Sequence, residues 1–234
     1  MFTLLEALNY RCLKYVNQPL KPFHVLIGPN ASGKTTFLDV IAFLGDLVSN
    51  GLDDAISERT HNFIDLVWGR TEGSIEIAIE AKVPEKLLLK SNTHYNIIRY
   101  EIKVGIDNGE NAILAEKALL KIKQPEKYIQ RYLFPTLVET PHTIITPKAK
   151  KNTRTVINKV YGGNDNYYSE VYSDAGKGWA PAFKLGLRKS ALGNLPEDES
   201  KFPITTWLKR FLAEGVQKFV LNSMLITQLS QYES

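Results

Sequence analysis

The sequence is poor in cysteine and has no long apolar run. Cys12 is the single cysteine among 234 residues, so no disulfide can form within the chain. A membrane-spanning helix needs about 18 or more consecutive apolar residues, and no apolar run here approaches that length. The N-terminus has no basic segment and carries Glu6 where a secretory signal would stay apolar. We therefore expect a cytoplasmic protein that has no membrane partner.

The composition excludes further classes of protein. No grouping of histidine, cysteine and acidic residues has the spacing of a zinc site. Apolar residues make up 44% of the chain and charged residues 23%, which is ordinary for a folded domain and argues against extensive disorder. The chain is long enough for one large domain, and its net charge of +4 permits a polyanionic partner without requiring one.

The apolar pattern predicts an α/β fold. Residues 23–27, FHVLI, are typical of a strand buried on both faces, and apolar residues then recur at helical spacing over residues 37–48. Over residues 73–122 apolar residues alternate with polar ones, and Asn108-Gly109 within that stretch is a strong hairpin signal. The pattern indicates a strand–helix core joined to an antiparallel β-subdomain.

One short stretch between the predicted strand and helix carries a phosphate-binding motif. Residues 28–35, GPNASGKT, fit the pattern G-x-x-x-x-G-K-[ST], in which glycines let backbone N–H groups wrap around phosphate oxygens. Lys34 can reach the β- and γ-phosphates, Thr35 can offer its hydroxyl to Mg²⁺, and Thr36 is placed to bond a phosphate nearer the sugar. We predict a site for a nucleoside triphosphate and Mg²⁺. The candidate residues are Gly28, Asn30, Ala31, Ser32, Gly33, Lys34, Thr35 and Thr36.

The motif and its surroundings resemble one branch of the P-loop ATPases. ABC, SMC and RecF-type ATPases commonly carry G-P-N-x-[SA]-G-K-[ST], and Tyr10-Arg11-Cys12 stands where they often have Phe-Arg before a short turn. The resemblance is specific over residues 9–48 and architectural elsewhere. It implies a P-loop NTPase core of the AAA type that binds ATP and Mg²⁺, with two such units forming a dimer around two ATP molecules. It further implies a nucleotide contact by Arg11 and a role in DNA repair or phage defence.

Three elements that this family places further along the chain are not found. They are a signature motif with Ser-Gly, an apolar run ending in Asp-Glu, and a switch histidine after that pair. The Asp supports Mg²⁺ and the Glu activates water, so no catalytic residue is identified. We expect the N-terminal lobe of an ABC-type ATPase head, which binds ATP with little or no turnover. Its C-terminal lobe would be lost, cut away or supplied by another chain.

The predicted lobe spans residues 1–234 as one unit with four parts. The parts are a P-loop strand–helix core at 1–72, the antiparallel β-subdomain at 73–122, an irregular segment with a hairpin at 123–203, and a closing helix and strand at 204–234.

A basic stretch lies in the predicted second hairpin, which turns around Gly162-Gly163. No acidic residue occurs between Glu139 and Asp165. Basic side chains there could neutralise DNA phosphates, but lysines also protect edge strands from pairing with other chains, so both interpretations stay open. The candidates for DNA contact are Lys148, Lys150, Lys151, Arg154 and Lys159.

Two other functions are compatible with the motif. A small-molecule or nucleoside kinase also uses a P-loop and would fit this length, although the alternating strands at 73–122 argue against it, because such kinases are mostly helices around a parallel sheet. A regulatory protein that binds nucleotide without hydrolysing it is the second alternative.

Overall fold

An eight-stranded antiparallel sheet organises the part of the chain that the structure describes. The computed structural model describes residues 1–91, 93–122, 139–147, 152–171 and 181–217. The strands are β1 (Phe2–Tyr10), β2 (Leu13–Pro19), β3 (Ile75–Lys82), β4 (Ile97–Asp107), β5 (Glu110–Lys121), β6 (Thr153–Val160), β7 (Asp165–Tyr167) and β8 (Ala182–Phe183). Their order across the sheet is β2-β1-β3-β4-β5-β6-β7-β8, so β1 lies between β2 and β3.

Helices cover one face of this sheet. The helices in the described ranges are α1 (Lys34–Ser49), α2 (Leu52–Ser57), α3 (Glu85–Ser91) and α4 (Pro203–Ala213), with 3₁₀ turns at Phe63–Leu66 and Trp68–Arg70. The rings of Phe43 in α1 and Tyr10 in β1 have centroids 5.7 Å apart, and both side chains are fully buried. α4 approaches α1 so closely that a Cβ at Gly45 would lie 2.8 Å from the backbone oxygen of Leu212. None of the helices in the described ranges is long and apolar enough to cross a membrane.

The predicted antiparallel strands within residues 73–122 are confirmed as β3, β4 and β5, which share one sheet with β1 and β2. Ile77 of β3 lies opposite Ile102 of β4, and both are buried, as the alternating pattern requires. Asn108 and Gly109 connect β4 to β5 with φ angles of 48° and 83°, the left-handed conformations that a two-residue hairpin turn needs. The second hairpin is formed by β6 and β7, with Gly162 in the turn between them. The α/β fold class is therefore confirmed.

The predicted buried strand at residues 23–27 is wrong. This segment forms no strand, and the side chains of Phe23, Val25 and Ile27 are 82%, 59% and 91% exposed. A strand buried on both faces needs neighbouring strands and covering helices. None of the strands in the described ranges pairs with this segment, so its apolar side chains remain in contact with solvent.

Parts of the other predicted segments lie outside the described residues. The closing helix is confirmed as α4, whereas the closing strand predicted after it lies outside the described residues. The same holds for much of the irregular segment, at residues 123–138, 148–151 and 172–180.

The face of the sheet opposite α1 carries a buried network of charged side chains. Arg99 of β4 lies at its centre, with its guanidinium 2.8 Å from Glu6 and also bonded to Glu101. Residues 139–147 cross this face. The backbone N–H of Ile144 donates to Glu76 at 2.7 Å, and that of Thr146 donates to Glu101 at 2.7 Å. Carboxylates on the sheet thus hold a separate segment of chain in place.

A buried carboxylate caps the N-terminus of α4. Glu170 accepts hydrogen bonds from the backbone N–H groups of Ile204 and Thr205, at 2.6 and 2.7 Å, and from the Thr205 hydroxyl. These N–H groups belong to the first turn, where a helix offers no partners of its own. Burial raises the pKa of Glu170 to about 7, although the hydrogen bonds from Thr205 and Ile204 oppose that shift.

The raised pKa of Glu170 makes its contribution to the free energy of unfolding depend on pH. The pKa of Glu170 is about 7 in the folded protein, whereas its ordinary value is 4.5. The stabilisation that comes from the protonated Glu170 is therefore fully present below pH 4.5 and is lost as the pH rises towards 7. We expect the stability of the wild type relative to Glu170→Gln to fall over this interval in urea unfolding. Glu72→Gln, on an exposed loop, is the control. A difference that is constant across the interval would contradict this assignment.

Candidate nucleotide-binding site

The loop that the motif predicts to bind phosphate leads directly into α1. Gly33 is the N-cap, with φ at 89°, and α1 begins at Lys34, so the predicted helix after the loop is present. No side chain caps this end of the helix, and its first turn contains no acidic residue. The first N–H groups of a helix have no intrahelical partner and carry a partial positive charge. This end of α1 can therefore receive an anion.

Lys34 closes the loop through its own ammonium group. Its Nζ lies 2.7 Å from the carbonyl oxygen of Gly28, 2.6 Å from that of Pro29 and 3.3 Å from the hydroxyl of Ser32. An ammonium held by carbonyl oxygens remains available to a phosphate, because a contact with an anionic oxygen is stronger than one with a neutral carbonyl. The loop thus holds a positive charge close to the N-terminus of α1.

Thr35 and Thr36 occupy the next two positions of α1 but differ in their surroundings. Thr35 is exposed, so its hydroxyl can serve as the protein ligand that the motif predicts for Mg²⁺, with phosphate oxygens and water completing the shell. Thr36 is half-buried, and its hydroxyl lies 3.3 Å from Cys12 Sγ. No group of three or more acidic, histidine or cysteine side chains that could hold a metal occurs within the described ranges.

The turn between β1 and β2 packs against the first turns of α1. Besides the contact between Cys12 and Thr36, a Cβ placed at Gly33 would lie 3.3 Å from both Cys12 Sγ and Leu13 Cδ2. Arg11 in this turn has a left-handed backbone with φ at 52°, and its Nη1 lies 3.3 Å from Asp39 Oδ2. The structure therefore places Arg11, the predicted nucleotide contact, beside the helix that follows the loop.

Asp39 is a residue of this region that sequence reasoning missed. It accepts hydrogen bonds from the Tyr10 hydroxyl at 2.6 Å and from Arg59 Nε at 3.0 and 3.1 Å. Arg59 also reaches Asp46, at 2.8 Å, on the same face of α1. Burial by itself would raise the pKa of Asp39, but the hydrogen bonds from Arg59 and Tyr10 outweigh it and lower that pKa. The seven-residue spacing of two aspartates on an otherwise apolar helix was the available signal.

Of the residues predicted to contact DNA, only Arg154 and Lys159 lie within the described ranges. The prediction for Lys159 does not agree with its burial. Lys159 is 3% exposed, and its ammonium lies 2.7 Å from both Asp165 and the Gly186 carbonyl. Arg154 is half-buried and donates to the Ser169 carbonyl. The remaining candidates, Lys148, Lys150 and Lys151, lie outside the described residues. Lys159 therefore forms a buried ion pair with Asp165, and its ammonium is not at the surface where DNA would lie.

Comparison with known proteins identifies relatives. A sequence model of the family described as the AAA ATPase domain matches residues 3–214. An OLD nuclease from Thermus scotoductus (strain ATCC 700910 / SA-01) is 44% identical over 48 residues, which are 20% of this chain and 9% of the nuclease. A solved structure, described in terms of ATP-driven dimerisation and DNA-stimulated activation of SMC ATPases, is 21% identical over 48% of this chain and 67% of its own, with a TM-score of 0.36.

Proposed function

The chain belongs to the AAA ATPase domain family, and on that premise we propose that it binds ATP and Mg²⁺ through the loop at residues 28–36. The main support is the position of Lys34, the first residue of α1. Its ammonium lies within hydrogen-bonding distance of the Gly28 and Pro29 carbonyl oxygens of the loop. The loop N–H groups and Lys34 would hold the phosphates, Thr35 would bind Mg²⁺, and Arg11 would supply a further positive charge.

We also propose that residues 1–234 act as one lobe that needs a complementing ATPase lobe or a second copy for hydrolysis. Support comes from residues 23–27, because this apolar segment next to the loop is exposed and pairs with no strand within the described ranges. Strands of a complementing lobe would bury these side chains and satisfy their backbone groups. The same strands could bring the Asp-Glu pair that activates water.

A role in DNA repair or phage defence is part of the proposal. It rests on the family resemblance of the loop and on the short match to an OLD nuclease. The basic candidates Lys148, Lys150 and Lys151 remain a prediction for DNA contact.

The test measures Mg-ATP binding and phosphate release for the wild type, Lys34→Ala and Lys21→Ala. Lys21 is an exposed lysine upstream of the loop and is the charge-matched control. A hydrogen bond from a charged donor contributes about 1.5–3 kcal/mol, so we expect Lys34→Ala to lose roughly 10-fold or more in affinity while Lys21→Ala stays at the wild-type value. We expect little or no phosphate release from any of the three. Absence of ATP binding by the wild type would overturn the site, and robust turnover by the wild type alone would overturn the need for a second lobe.

A further inference from the structure

The contacts of the β1–β2 turn define the side of the loop towards which the sugar and base of a nucleotide would extend. This step depends on the proposed function. Thr36 is the loop residue placed nearer the sugar, and it touches Cys12 of the turn at 3.3 Å. Leu13 lies against Gly33. Whatever follows the phosphates on this side would meet the β1–β2 hairpin and the segment beside it.

The segment beside this turn ends in an exposed tryptophan. The backbone N–H of Arg11 donates to the Leu66 carbonyl at 2.7 Å, and Val67 forms a β-bridge with Tyr10. Trp68 comes next and is 41% exposed. The ammonium of Lys14 lies over the indole ring of Trp68, 5.1 Å from the ring centroid. The indole therefore lies beside the hairpin whose tip contacts the phosphate loop.

The backbone around Trp68 is fixed in an uncommon conformation. Gly69 and Arg70 both have positive φ angles, 73° and 53°, and the left-handed region is unfavourable for a residue such as Arg70. Arg70 is paired with Asp65 at 3.3 Å, and the Asn62 side chain caps the preceding turn by accepting from Ile64 N–H at 3.1 Å. These local bonds stabilise a turn that leaves a large aromatic ring partly in water.

We propose that Trp68, together with Lys14, forms the subsite for the purine base of the nucleotide. One face of the indole receives the Lys14 ammonium through a cation–π contact, and the base stacks on the exposed part of the ring. An aromatic ring suits this purpose because stacking needs only a flat π surface and loses little side-chain entropy. Lys14 adds a positive charge beside the ring.

The experiment compares a ligand that has a base with one that lacks it. Binding of Mg-ATP and of magnesium tripolyphosphate is measured for the wild type, Trp68→Ala, Trp68→Phe and Leu89→Ala. Leu89 is an exposed apolar residue of α3 and controls for the loss of a surface hydrophobic group. Circular dichroism verifies that each variant is folded.

Base stacking contributes about 1–3 kcal/mol, or roughly 5- to 150-fold in affinity. We expect Trp68→Ala to weaken Mg-ATP by such a factor and leave tripolyphosphate binding unchanged, with Trp68→Phe retaining most of the affinity and Leu89→Ala all of it. Equal losses for both ligands, or no loss for either, would overturn the subsite. Wild-type protein that binds tripolyphosphate as tightly as ATP would overturn the subsite and leave the proposed phosphate site intact. Wild-type protein that binds neither ligand would overturn both.

Discussion

Arg99→Met should lower the free energy of unfolding by about 3–5 kcal/mol, because it removes one partner of a buried ionic network and leaves the others unpaired. Arg99 is 8% exposed and contacts Glu6 at 2.8 Å, and it also bonds Glu101, which is fully buried. Methionine fills a similar volume, so the decrease in the free energy of unfolding would come from the missing charge and not from a cavity. Urea unfolding at neutral pH measures it.

The matched control for this prediction is Arg70→Met. Arg70 also pairs with a carboxylate, Asp65 at 3.3 Å, but its side chain is 78% exposed. Exposed pairs contribute about 0–1 kcal/mol. Arg99 also donates to the Ile144 carbonyl at 3.2 Å, so Arg99→Met should speed amide exchange at Ile144. Similar small losses in both variants would refute the view that the charged face of the sheet stabilises the fold.

Asp39→Asn should cost about 2–4 kcal/mol, because it removes the negative charge that Arg59 and Arg11 share. Arg59 has a side chain that is 7% exposed and would keep Asp46 as its remaining acidic partner. The substitution should also weaken Mg-ATP binding, since Asp39 connects the turn that carries Arg11 to the helix that follows the phosphate loop. Thermal or urea unfolding and ATP titration measure the two effects.

The sign of the pH dependence provides a second check on Asp39. The pKa of Asp39 is lowered from 3.8 in the folded protein, so the stabilisation is present above about pH 4 and is lost as the pH falls below it. The difference between the wild type and Asp39→Asn should therefore shrink in acid, opposite to the trend expected for Glu170. Asp53→Asn is the control, since Asp53 pairs with Arg188 at the surface with 46% of its side chain exposed. A difference that persists unchanged below pH 3 would contradict this role.

Features set by neighbouring residues were predicted correctly. The sequence GPNASGKT predicts a glycine-bounded turn and a helix start, and α1 begins at Lys34 with Gly33 in a left-handed conformation. Asn108-Gly109 predicts the β4–β5 hairpin because those two residues accept positive φ angles at low cost. Alternation of apolar residues predicts which face of β3 and β4 carries the apolar side chains, since side chains in a strand point to opposite faces in turn.

Features that depend on distant partners were not predictable. Residues 23–27 have the composition of a buried strand, but whether they are buried depends on strands that do not pair with them within the described ranges. Lys159 stands in a basic stretch of sequence, but the β6–β7 hairpin brings Asp165 to its ammonium and the chain after β8 brings the Gly186 carbonyl. Charge along the sequence does not reveal which charges are neutralised in the fold.

By itself the sequence determined the G-x-x-x-x-G-K-[ST] motif, the helix after it, the α/β class and the family, because these depend on local backbone preferences and on short-range patterns of residues. Only the tertiary structure decided that Arg11 pairs with Asp39, that Trp68 lies beside the β1–β2 turn, and that Arg99 pairs with Glu6. The partners in these contacts are separated by as many as 93 positions. Their pairing follows from strand register and helix packing, which bring together residues whose side-chain types alone do not specify one another.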